Sequence, residues 1–117
     1  MLNRFSINKV HLALGPTDMR KSIDGLALIV KESFKLDPFS SNLFVFCNRK
    51  KDKIKILYWD HNGFWLYYKR LEKGVFKWPN NNSDVMDVSQ RELNWLLDGL
   101  ILSETKGLNP VNQREIL

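Results

Sequence analysis

A chain of 117 residues, 44% of them apolar and 26% charged, holds one domain with a real core, which excludes disorder as the dominant state. Its longest apolar runs, such as 26–30 and 43–47, span five residues against the roughly 20 a membrane helix needs, and residues 1–10 show no secretory leader. The net charge of +5 is concentrated: residues 49–78 hold nine basic and three acidic side chains, a net +6, while the rest of the chain sums to −1.

Residues 9–14 alternate weakly and stop at Gly15-Pro16, which predicts a short strand and a turn. Thr17 and Asp18 are good N-caps, and Ile23, Leu26, Ala27, Val30 and Phe34 recur at helical spacing, predicting an amphipathic helix over about 19–34. Gly25 inside it points to close packing on a neighbour. Asp37-Pro38 and Ser40-Ser41-Asn42 close the segment. Four strand-like runs follow, 43–48, 53–60, 64–72 and 75–79, separated by residues 49–52, His61-Asn62-Gly63 and Lys73-Gly74. Asn-Gly is a strong hairpin signal, so the runs predict an antiparallel meander. Asn80 to Ser83 is a polar turn. Ser89 with Glu92 forms a capping box before Leu93, Leu96, Leu97 and Leu100, a second helix ending near Gly99. The expected domain is 1–103, with 104–117 a loose tail. The fold class is α+β: a four- to five-stranded antiparallel meander with both helices on one face. A ferredoxin-like RNA-binding fold is the competitor, but it needs its second helix between the third and fourth strands.

Two-residue turns at Asn62-Gly63 and Lys73-Gly74 place Lys55 opposite Arg70 and Arg70 opposite Lys77; a four-residue loop at 49–52 places Phe46 opposite Lys55. Alternation then puts Leu43, Val45, Cys47, Ile54, Ile56, Tyr58, Tyr67, Leu71, Phe76 and Trp78 on the face the helices cover. The other face carries the basic row Lys55–Arg70–Lys77 with Phe46 and Tyr68 beside it. Like charges in a row destabilise a sheet, and phosphates beside stackable rings are the natural reason to keep them. Arg49, Lys50 and Lys51 in the preceding loop extend this candidate nucleic-acid surface. Arg20 joins it as a cation near a helix N-terminus, where an anion is favoured. The bland reading is a solvated lysine-rich ribbon whose rings pack under a loop or a second subunit.

Little else suggests chemistry. His61 reads as an exposed turn residue, and with His11 the only other imidazole and Cys47 the only thiol, a zinc site is not expected. A lone cysteine forms no internal disulfide and favours a reducing, cytoplasmic home; mid-strand on the covered face, Cys47 reads as buried and inert. Asp18, Asp24, Asp60, Glu72 and Glu92 could serve a two-metal nuclease, yet Asp18 reads as a cap, Asp60 as the lead-in to a turn, and Glu72 as a partner for Lys53. Neither a P-loop nor a GxGxxG stretch is present.

These residues also carry a resemblance. Residues 12–26 (LALGPTDMRKSIDGL), 36–39 (LDPF), 43–49 (LFVFCNR), 53–60 (KIKILYWD), 62–66 (NGFWL), 68–74 (YKRLEKG) and 76–79 (FKWP) run in order through the chain. The chain resembles the TnpB-type accessory protein encoded by the second reading frame of bacterial insertion-sequence elements of family sixty-six. The resemblance implies a helper that works with a separate DDE-type transposase, with no catalytic residues to carry over; no metal or cofactor is expected. The expected function is a non-enzymatic transposition accessory that binds DNA with low sequence preference. The alternative is a protein–protein adaptor that docks the transposase without touching DNA; a small nuclease ranks below both.

Overall fold

The computed structural model describes residues 9–99. Strands β1 (Val10–Ala13), β2 (Leu43–Cys47), β3 (Lys53–Asp60), β4 (Gly63–Arg70) and β5 (Val85–Val88) form one sheet in the order β4-β3-β2-β1-β5. Helix α1 (Ile23–Glu32) connects β1 to β2, and α2 (Gln90–Leu97) follows β5. The architecture is α+β, but the sheet is mixed. β2, β3 and β4 form the expected antiparallel meander, whereas β1 lies parallel to β2 and β5 antiparallel to β1. The helix between β1 and β2 is what permits the parallel pair, because it returns the chain to the end of the sheet from which β1 started.

Alternation along the strands splits the core into two clusters. Leu43, Val45, Cys47, Ile54, Ile56 and Tyr58 pack with Phe76, Trp78 and with Leu93 and Leu96 of α2. Phe44, Phe46 and Leu57, the intervening residues, pack with Leu26 and Val30 of α1. Successive strand residues point to opposite faces, so the two helices cover opposite sides of the sheet and not one side as the sequence suggests. The residues expected on one covered face are indeed together there. What the pattern does not reveal is that the second face is equally buried, since its own Phe44, Phe46 and Leu57 are no more than 1% exposed.

The run 75–79 is not a strand. After the left-handed Gly74 (φ 79°) the Phe76 N–H donates to the Lys51 carbonyl (2.7 Å) and the Trp78 indole N–H to the Ala13 carbonyl (2.9 Å). Residues 71–78 thus cross the sheet as a strap from the β3 side to β1, burying Phe76 and Trp78 without a ladder. The fifth strand is instead β5, too short and too interrupted by Asp87 to stand out in the sequence.

Helix α1 starts later than expected. Its N-cap is Ser22, which makes no side-chain cap bond. Asp18 caps a preceding turn instead: Lys21 N–H donates to the Asp18 carbonyl (3.1 Å) and Arg20 N–H to its carboxylate (2.9 Å). The close neighbour of Gly25 is the Lys21 side chain, 3.3 Å from where a Cβ would stand. The α2 capping box is present in full: the Ser89 hydroxyl accepts from Glu92 N–H (3.0 Å) and the Glu92 carboxylate from Ser89 N–H (2.9 Å). Residues 104–117, expected to be loose, lie outside the described residues.

Candidate nucleic-acid interface

The β3–β4 turn decides which cations meet. Its two central residues are His61 and Asn62, with Asp60 opposite Gly63 and His61 in the left-handed region (φ 56°). The expected turn, Asn62-Gly63, lies one residue later, and that difference slides every cross-strand pair by two. Lys55 therefore faces Tyr68, and Arg70 faces Lys53. A slip of two keeps each side chain on its predicted face, so Lys55 and Arg70 share a face without being opposite. The row Lys55–Arg70–Lys77 does not form, because Lys77 belongs to the strap and not to a strand.

A different cluster replaces it. Arg49, Lys50 and Lys51 occupy the exposed β2–β3 turn, Lys53 and Arg70 pair at the adjoining ends of β3 and β4, and Lys69 precedes Arg70. The strap brings Lys77 to the same end, since the neighbouring Phe76 hydrogen-bonds to Lys51. The sequence window of excess charge is thus one end of the sheet. Asn48 braces the turn: its Oδ1 accepts from Asp52 N–H (3.1 Å) and Lys53 N–H (3.0 Å), and its Nδ2 donates to Asp52 Oδ1 (2.7 Å). That last bond holds the Asp52 carboxyl below its usual range. Asp52 also meets Lys53 (3.5 Å), and Glu72 pairs with Arg70 (2.7 Å) rather than with Lys53. Arg49, Lys50, Lys51, Lys69 and Lys77 form no ion pair among the described residues. Uncompensated cations on a braced turn make a surface suited to phosphate.

The remaining candidates separate. Phe46 is fully buried, stacked on Phe34 (centroids 6.2 Å, 16°) beneath α1, and is a core residue with no face for a base. Lys55, which does face Phe46 as expected, folds over Tyr68 (5.8 Å to the ring) and donates to the carbonyls of Met19 and Lys21, both at 2.8 Å. Its ammonium is a structural tie. Tyr68, at 54% exposure, is open to a ligand. Arg20 is exposed and forks onto Asp18 (2.7 Å), whose carboxyl is lowered to about 2, chiefly by that hydrogen bond. Thr17 N–H donates to the Cys47 carbonyl (2.8 Å), so this segment and Arg20 are stitched to the same end of the sheet.

Two more of the candidate carboxylates have structural partners. Asp60 accepts from the Trp65 indole (3.0 Å) and Glu92 closes the α2 cap. Cys47 is buried, and desolvation pushes its thiol up to about 12. The feature that sequence reasoning missed is His11. It is buried, stacked on Phe44 (5.1 Å), with Nδ1 donating to Asp87 Oδ1 (2.6 Å) and Nε2 accepting from Asn42 Nδ2 (3.2 Å). It ties β1 to β5 and to the loop before β2; 76 residues separate it from Asp87, and nothing local announces the pair.

Comparison with known proteins supplies the context. Residues 8–107 match the model of the family described as IS66 Orf2-like protein. The chain is 40% identical over 92 residues to the uncharacterised protein y4hO of Sinorhizobium fredii, covering 79% of this chain and 80% of that one. A second uncharacterised protein of the same organism, y4jC, is 31% identical over 98 residues, 84% of each chain. No solved structure matches.

Proposed function

This chain belongs to the IS66 Orf2-like family, and from that premise we propose that it acts in transposition by holding DNA phosphates on the basic end of its sheet, beside a separate transposase. The family is one of accessory proteins of an insertion element and not of catalytic subunits. The observation that supports DNA contact is the cluster Arg49, Lys50, Lys51, Lys69 and Lys77, uncompensated cations that a folded protein has no structural need to gather. Arg70, Arg20 and the exposed Tyr68 border the cluster and extend it toward the α1 face. Binding of this kind is electrostatic, low in sequence preference and steeply salt-dependent.

A salt series of binding to labelled duplex tests the reading. Replacing Arg49, Lys50 and Lys51 by glutamine weakens binding and lowers the slope of log K against log salt by about 0.9 for each phosphate no longer neutralised. Binding that is absent at about 50 mM salt, or indifferent to these three substitutions, overturns it. One observation favours the adaptor alternative. At the opposite end of the strands Phe39, 56% exposed, packs on Trp59 (5.0 Å) and Phe64 (5.5 Å), a ring cluster suited to docking the transposase. Docking through these rings would be nearly insensitive to salt, which separates the two readings.

A further inference from the structure

The basic end of the sheet also contains a cavity of about 200 Å³. Gly15, Pro16, Trp78, Asn80, Arg49 and Lys51 are among the residues that line it, and none of the lining residues is acidic. Its walls are held in place: the Trp78 indole by Ala13, the Arg49–Lys51 turn by Asn48. The volume is below the roughly 300 Å³ at which pockets for drug-sized ligands begin, enough for one flat ring system and not for a larger molecule. Pro16 and Trp78 share the lining with Asn80, Arg49 and Lys51 and with no carboxylate, a mixture of apolar, amide and cationic groups that suits a heteroaromatic ring attached to an anion.

We infer that this cavity takes a single unpaired nucleobase, with its flanking phosphates on Arg49 and Lys51. The inference rests on the DNA-binding reading above and adds that the protein prefers a strand with unpaired nucleotides to closed duplex. A base inside a duplex cannot enter such a slot, whereas one in a single-stranded extension can. The shared chemistry, a base carried on phosphate, also describes a free nucleotide, and the test separates the two sources.

Binding is measured by anisotropy at fixed low salt with a blunt duplex, the same duplex carrying a single-stranded extension, and a mononucleotide as competitor. Gly15→Leu is the informative variant. A Cβ at Gly15 meets nothing within 4 Å and the backbone there is not left-handed, so a bulky side chain is added at the cavity lining without strain or change of charge. Asn80→Leu adds bulk to the same lining from an exposed loop without adding a ring that could itself stack. The wild type should favour the extended duplex by about tenfold, the worth of one stacked base. Both variants should reduce that ratio to near one while leaving blunt-duplex affinity unchanged. A mononucleotide that binds, and is blocked by Gly15→Leu, with no preference between the two duplexes keeps the pocket's chemistry and makes a free nucleotide its source. Duplex binding with no preference for the extension and no nucleotide binding, or a preference that survives both variants, overturns the cavity inference and leaves the DNA-binding reading standing. No binding of any DNA overturns that reading itself.

Discussion

Lys55 shows how one side chain can look like a ligand contact and be a structural tie. Its two bonds to the carbonyls of Met19 and Lys21 hold the turn ahead of α1 against the sheet. Hydrogen bonds from a charged donor contribute about 1.5–3 kcal/mol, so Lys55→Met should lower stability to urea by roughly that amount. The salt slope of the proposed DNA binding should stay as it was, the opposite of the outcome expected for the 49–51 turn. Asp18 offers a pH test. Its carboxyl is lowered to about 2 from an ordinary 3.8 by Arg20. A depressed folded-state value means the interaction is complete above the unfolded value and is lost as pH falls from near 4 through about 2. Arg20→Ala should return the Asp18 titration, followed by NMR, toward 3.8. Cys47, pushed up to about 12, has almost no thiolate near neutrality. It should resist alkylation in the folded protein and react at once in denaturant.

At the scale of elements, capping is the clearest case of local causation. Ser89→Ala removes one half of the α2 box and should cost about 1 kcal/mol, read as a lower urea midpoint at unchanged slope. The box is legible in the sequence because its residues are three apart and need no distant partner. β2 and β3 are legible for the same reason, β2 as an unbroken apolar run and β3 through its alternating start, each bounded by polar turns. The β3–β4 turn falls one residue from its expected place because Asn-Gly attracts the hairpin assignment, while the chain turns on His61-Asn62 and uses Gly63 to begin β4. Phe76 and Trp78 alternate like a strand, yet their spacing is satisfied by dropping two rings into the core from a strap. The sequence suggests too early a start for α1 because Asp18 serves a turn with a cap's chemistry. β5 is hidden because its partner is β1, far back in the chain. The candidate site shares these fates: the charged turn at 49–51 is visible from composition, whereas Phe46 and Lys55 depend on which face α1 covers.

The whole molecule is polarised from edge to edge. β4 ends in Lys69 and Arg70, while β5, on the opposite edge, is flanked by Asp84 and contains Asp87. On the proposed DNA-binding reading, this difference between the edges would favour approach of a phosphate backbone from the β4 side. No helix among the described residues is long and apolar enough to cross a membrane. The long-range pairing of β1 with β5 has a further consequence for the order in which the molecule assembles. The β2–β4 meander closes through neighbours in the chain, whereas β5 must find β1 across most of its length. Local pairings form early and distant ones late, so amides of β3 should outlast those of β5 and α2 in native-state hydrogen exchange. Until α2 lands, Leu43, Val45, Ile54 and Ile56 have only the strap to cover them. A chain stopped at Asp84 should accordingly keep much of its strand content while self-associating through the face that Leu93 and Leu96 of α2 otherwise cover, which light scattering of the truncated and full chains would read.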